Sequence, residues 1–284
     1  FLQGVGAASL GALNVTLVGD LYEGRRRATA MGLNASVLSL GTTFYPALGG
    51  ALALGSWRWP FVLPLLAVPV GLLVLLALRN PRPPPPQGLR EYLRGAFAAM
   101  RNRTVAGLLF ATIATFVILY GSYLTYLPLR MEKHFDSDSF VIGVVMSSGS
   151  LTTALVSSQL GKLSVRFGQR RLIQSGFALY AVSLGLVLSV RSQWAMLLPA
   201  LVFGVAQGIN IPTIMDALSG RAPMAYRAGF MSVNGMVLRG GQTLGPVAMG
   251  GAFALGGGDA PFWAGIGVAV GGLALLLASL REPG

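Results

Sequence analysis

The chain has 284 residues, a formal charge of +12 and 54% hydrophobic residues, with charged residues only 11%. A soluble domain carries roughly 25% charged residues, so too few remain here to cover a globular surface. The lack of cysteine removes disulfides, thiolate catalysis and Cys-ligated metals, and one His cannot build a metal site alone.

Apolar runs of about 20 residues suit helices that cross a bilayer. Nine are predicted, near 1–19, 29–54, 60–78, 105–129, 139–161, 172–190, 194–218, 228–254 and 261–280. The runs are continuously apolar rather than alternating, which favours helices over barrel strands. The expected fold class is therefore all-α and polytopic. Gly, Ala and Ser within the runs let backbones approach closely in lipid.

The connections alternate in charge. One set holds sixteen basic residues, among them Arg25, Arg26, Arg27, Arg166 and Arg170. The other holds four: Arg58, Arg130, Lys133 and Arg191. Positive loops stay cytoplasmic, which puts the C-terminus inside and residue 1 outside. The positive charge thus reads as topology, and no nucleic-acid partner is expected. Residues 79–104 form the one long connection. Pro81 and Pro83–Pro86 give a stiff polyproline stretch. Leu89, Tyr92, Leu93, Ala96, Phe97 and Met100 then recur at helical spacing, suited to lying along the inner leaflet.

The second and eighth runs are copies of each other. Residues 27–46 and 227–246 match without gaps at nine of twenty positions, including Asn34/Asn234, Gly41/Gly241, Thr43/Thr243 and Pro46/Pro246. Chance would give roughly two in so apolar a composition. Gly50/Gly250 extends the match. Both copies run from inside to outside, so the repeat is parallel, as in carriers whose halves are related by an axis along the membrane normal.

Three local motifs go further. Residues 1–8 read FLQGVGAA, residues 41–50 GTTFYPALGG and residues 161–171 GKLSVRFGQRR. In these the chain resembles the major facilitator superfamily, in its drug:proton antiporter branch. The first is similar to the family's fourth-helix motif R-x-x-Q-G-x-G-A-A. The second is similar to the fifth-helix motif g-x-x-x-G-P-x-x-G-G, with Tyr45 in place of a Gly. The third is similar to the loop motif G-x-L-x-D-R-x-G-R-R, with Val165 in place of the Asp. The resemblance implies helices four to twelve of a twelve-helix transporter. Residues 1–78 would be the remainder of the first half, 79–104 a cytoplasmic linker and 105–284 the six-helix second half. Three further helices would then precede Phe1, and the chain would be an N-terminally truncated piece. The family is one of plasma-membrane carriers, which implies alternating access, efflux of a small amphipathic solute, and a monomer. Protons are the candidate coupling ion.

Candidate residues fall into three groups. Gly41, Pro46, Gly49 and Gly50, with Gly245, Pro246 and Gly250, bend or thin the repeated helices and are expected where the halves rock. Asp20 and Asp216 end helices on the cytoplasmic side. They could pair with Arg166 or Arg170 of the loop that also holds Gly161 and Gly168, closing a gate, or they could be solvated helix ends. Asn34, Gln207, Asn210, Asn234 and Gln242 need partners in lipid, as interhelical glue or as cavity lining. Tyr120 and Tyr123, near Phe116, could line a cavity. Arg239 lies near mid-bilayer, where facing lipid costs at least about 2.5–3.5 kcal/mol. It is expected to turn inward, lining the cavity or meeting amides such as Gln207. None of the nine acids falls at mid-membrane. No catalytic residue, metal or cofactor is expected. The rival readings are a membrane-embedded enzyme, which would need a nucleophile, metal or carboxylate pair at a shared depth, and a carrier-derived sensor without transport.

Overall fold

The computed structural model describes residues 37, 40, 41, 43–77, 102–221 and 227–279. The run at 1–19, Asp20, Asn34 and the linker as far as residue 101 lie outside them, as does most of the first repeat copy. Among the described residues every regular element is helical.

Residues 43–53 form α1. Trp59–Ala77 form α2, which opens with 3-10 turns through Leu66 around Pro60 and Pro64. Proline removes the donors that an α ladder needs. Arg103–Phe135 form α3, a continuous helix of 33 residues. The Asn102 side chain caps it, accepting from Thr104 N at 2.9 Å. Next come α4, Ser139–Ser158, capped by Asp138 through Val141 N at 2.8 Å, and the short α5, Leu160–Phe167. Gly168, at φ 77°, turns the chain in a conformation suited to glycine. Gln169–Ser189 form α6, Trp194–Arg221 α7, Arg227–Gly256 α8 and Ala260–Ser279 α9.

Six of these helices are long and apolar enough to cross a membrane: α2, α3, α4, α6, α7 and α9. The 30 residues of α8 reach about 45 Å at 1.5 Å per residue, and it lies against α3 and α9.

The helix predicted at 105–129 runs further, to Phe135. The charges of Arg130, Glu132 and Lys133 suggested a loop, but the segment stays helical because its cations have partners. Buried Arg130 pairs with Asp259 at the start of α9, with its guanidinium 5.7 Å from the Phe262 ring centroid. Lys133 lies 5.4 Å from the ring of Phe253.

Within α3, Ile118–Tyr126 are π-helical, with wider turns than the flanking α segments. The Thr125 hydroxyl donates to the Tyr120 carbonyl at 2.6 Å within this stretch.

Glycines set the packing. Gly204 and Gly208 of α7 press on the backbone of α4, where the Thr153 and Ser157 hydroxyls donate to the Gly204 and Gly208 carbonyls at 3.1 Å each. A Cβ on Gly245 of α8 would stand 3.0 Å from both Gly121 N and Val117 O of α3. The core between α3, α6, α7 and α9 holds Leu108, Ile118, Phe177, Tyr180, Phe203 and Phe262, all buried.

Candidate functional site

Three of the described amides of the sequence reading, Gln207, Asn210 and Asn234, are interhelical links, while Gln242 bonds Arg239 within α8. Asn210 of α7 donates to the Thr115 hydroxyl of α3 at 3.0 Å. Asn234 of α8 accepts from Thr112 of α3 at 3.3 Å and contacts the Met215 sulfur at 3.2 Å. Gln207 accepts from the Tyr180 hydroxyl at 2.7 Å, joining α6 to α7. Hydroxyls and amides thus find each other in apolar surroundings, where leaving them unpaired is costly.

The tyrosines of α3 diverge instead of forming one wall. Tyr123 is buried and stacks on Phe203, with centroids 3.8 Å apart, and its hydroxyl abuts Gly149 without a hydrogen-bond partner. Tyr126 turns to Phe253 of α8 at 5.4 Å. Tyr120 stacks on Phe116 at 6.2 Å and stays partly exposed. Residues three apart on an α-helix share a face, but the π-helical turns swing these apart. Beside Phe116, the side chains of Thr112, Thr115, Ile211, Ile214 and Met215 meet in a shallow seam between α3 and α7 that has no room for a water molecule.

Arg239 departs from expectation. It does not reach Gln207, whose carbonyl is taken by Tyr180, and it is not enclosed by the described helices. Its guanidinium donates to Gln242 Oε1, one turn on, at 2.9 Å, and its side chain is exposed. The cause is the register of α8, whose α3-facing edge is set by Asn234, Gly241 and Gly245. Arg239 falls off that edge.

Where α5, α6 and α7 meet, Asp216 pairs with neither Arg166 nor Arg170. It accepts from Gln169 Nε2 at 2.6 Å. Arg166 lies over the ring of its neighbour Phe167 at 5.4 Å. Val165, where the motif has Asp, is exposed. Gly161 is exposed with open space around it.

Of the bend residues, Pro46 and Gly50 make the closest approach between α1 and α4. The Pro46 carbonyl lies 2.5 Å from where a Cβ on Gly143 would stand, and a Cβ on Gly50 would collide with the Ser139 carbonyl. Ala47 N donates to the Ser147 hydroxyl at 3.1 Å. Gly41 nears only Tyr45 of its own helix, and Gly49 faces open space. On α8, Pro246 is half-buried and a Cβ on Gly250 would lie 3.7 Å from the Tyr126 hydroxyl.

The sequence itself matches known proteins. The profile of the Major Facilitator Superfamily covers residues 1–138 and 130–284. The chain belongs to this superfamily. It is 28% identical over 131 residues, 46% of its length, to the uncharacterized transporter YebQ of Escherichia coli K12, covering 28% of that protein. It is 24% identical over 236 residues, 82% of its length, to the multidrug resistance protein MdtL of Klebsiella pneumoniae strain 342, covering 59% of it. The MFS-type transporter ppz2 of Metarhizium majus matches at 36% over 92 residues, 31% of this chain and 16% of ppz2. The chain thus spans less than two thirds of the length of these relatives.

Proposed function

We propose that the intact gene product carries a small amphipathic solute outward across the plasma membrane by alternating access. It would work as a monomer with the C-terminus in the cytoplasm and with protons as the coupling ion. The observation that carries this reading is the contact of α1 with α4. Pro46 and Gly50 meet Gly143 and Ser139 backbone to backbone, with a hydrogen bond from Ala47 N to the Ser147 hydroxyl. A close backbone contact without bulky side chains between a first-half and a second-half helix suits surfaces that roll on each other. The similarity to MdtL supports the outward direction and the drug-like class.

Efflux of a fluorescent dye panel from cells with and without the intact gene product tests the reading. Dye retention should fall with the gene, and Gly143→Leu should abolish the difference while leaving the protein in the membrane. Equal retention across the panel would reject it. Orientation is tested separately. Glu132→Cys, at an exposed position in the last turns of α3, should react with an impermeant maleimide from outside, since the native chain has no Cys.

A further inference from the structure

The four tryptophans of the chain are Trp57, Trp59, Trp194 and Trp263. Each is more than half exposed. Trp57 and Trp59 lie where α1 turns into α2, Trp194 opens α7, and Trp263 is in the first turn of α9.

Packing brings these three corners to one end of the molecule. Arg130 near the end of α3 pairs with Asp259 just before α9, so those two helix ends lie together. The chain leaves α3 at Phe135 and enters α4 at Ser139, where Gly50 near the end of α1 closes on the Ser139 carbonyl. Helix α7 runs parallel to α4, because Thr153 meets Gly204 and Ser157 meets Gly208. The start of α7 therefore lies beside the start of α4. The opposite end has no tryptophan. It holds Arg103, Lys162, Arg166, Arg170, Arg171 and Arg221, and the bond from Gln169 to Asp216 joins the start of α6 to the end of α7 there.

The distance between the two ends fits a bilayer. The 25 residues of Trp194–Leu218 reach about 38 Å at 1.5 Å per residue, and Arg221 is one turn further. A bilayer with its headgroups is about 40–45 Å thick. With Trp194 at one boundary, Arg221 reaches the other. An indole, an apolar ring with one N–H donor, suits the layer where acyl chains meet polar headgroups. Two of the corners add an exposed cation. The Arg58 guanidinium lies 5.4 Å from the Trp57 ring centroid, and Arg191 stands three residues before Trp194.

We propose that the four tryptophans form a one-sided belt that seats this end of the molecule at the headgroup–acyl boundary of the membrane. The indole N–H groups meet lipid carbonyls, and Arg58 and Arg191 meet the phosphates above them. Trp57 and Trp59 stand on the α1 side of the α1–α4 contact and Trp194 and Trp263 on the other, so each side has its own anchor. Under the orientation proposed above, the leaflet is the outer one. The lipid contact depends neither on that orientation nor on transport.

The test reconstitutes the intact gene product in phosphatidylcholine vesicles whose acyl chains carry bromine, a quencher of indole emission, either near the headgroup or near the chain ends. Trp57→Phe, Trp59→Phe, Trp194→Phe and Trp263→Phe each remove one emitter. The difference from the unaltered protein is that tryptophan's own signal. Surface changes of this kind have little effect on stability, so each variant should keep its melting temperature. Each signal should lose more to the shallow bromine than to the deep one, and less to aqueous iodide than to the shallow bromine. Three results would overturn the proposal: stronger loss to the deep bromine, which puts the indoles along the spans; stronger loss to iodide, which puts them in water; or loss to none, which puts them against protein. The leaflet is read separately from Glu132→Cys at the same end. Its reaction from the inside alone would reject the orientation and leave the belt standing.

Discussion

Helices α2 and α3 are both strongly apolar, yet their described surroundings differ. No described side chain of α2 is buried, whereas 56% of the corresponding window of α3 is. Among the described residues the more hydrophobic helix is the less enclosed, and residues 1–36 and 78–101 on either side of its half lie outside them. In a bilayer, apolarity only states that a helix prefers lipid to water, and lipid tails are as apolar as leucine. Partners are chosen by small residues and hydrogen-bonding groups. Helix α2 presents Leu and Val all round, while α3 offers Thr112, Thr115, Gly121 and Ser122 to its neighbours. Ser122 donates to the Pro261 carbonyl of α9 at 2.8 Å.

The sharpest way to break this contrast is to add bulk to a glycine in each setting. Gly245→Leu drives a side chain into the α3 backbone, so it should exceed the usual 1–3 kcal/mol or so of overpacking and sharply reduce the folded yield in detergent. Gly71→Leu in α2, with open space around it, should leave yield and melting temperature as they are. Equal losses would mean that α2 is as closely packed as α3.

A smaller loss is expected where the end of α3 meets the start of α9. Arg130→Ala removes an ion pair to half-exposed Asp259 and a cation–π contact with Phe262, together about 1–2 kcal/mol. Thermal unfolding should show Asp259→Asn costing less than Arg130→Ala, because the ring contact survives. Smaller again is Thr115→Val, which removes the bond from Asn210. Such bonds average about 0.6 kcal/mol in lipid, and Leu73→Ala in exposed α2 should fall below even that. The smallest effect should have the opposite sign. Tyr123→Phe deletes a buried hydroxyl that has no hydrogen-bond partner, so the melting temperature should hold or rise slightly.

The sequence placed the described spans because hydropathy and charge alternation are local. It stopped α3 at residue 129 because Arg130 and Lys133 look like loop residues, and their partners Asp259 and Phe253 lie over a hundred residues away. The repeat singled out Pro46 and Gly50 as interface residues, but not the helix, α4, that they approach. The amides were left open between glue and cavity, because chain position does not say whether Thr112, Thr115 or Tyr180 stands opposite. The proposed arginine partners of Asp216 shared a rim with Gln169, and only side-chain geometry separates them. Arg239 was placed by depth alone. Depth fixes the cost of facing lipid, but the direction it faces follows from how Gly241 and Gly245 seat α8 on α3.

The π-helical stretch of α3 also bears on how its length can change. A single π turn amounts to one residue spliced into an α-helix without turning its flanks. Excising one exposed residue there, such as Leu124, would let an α ladder form while Leu108 and Arg130 kept their directions. The same excision elsewhere in α3 would rotate everything beyond it by about 100°, lifting Arg130 from Asp259. Residues 118–126 are thus the part of this helix where its length can vary while both ends stay seated.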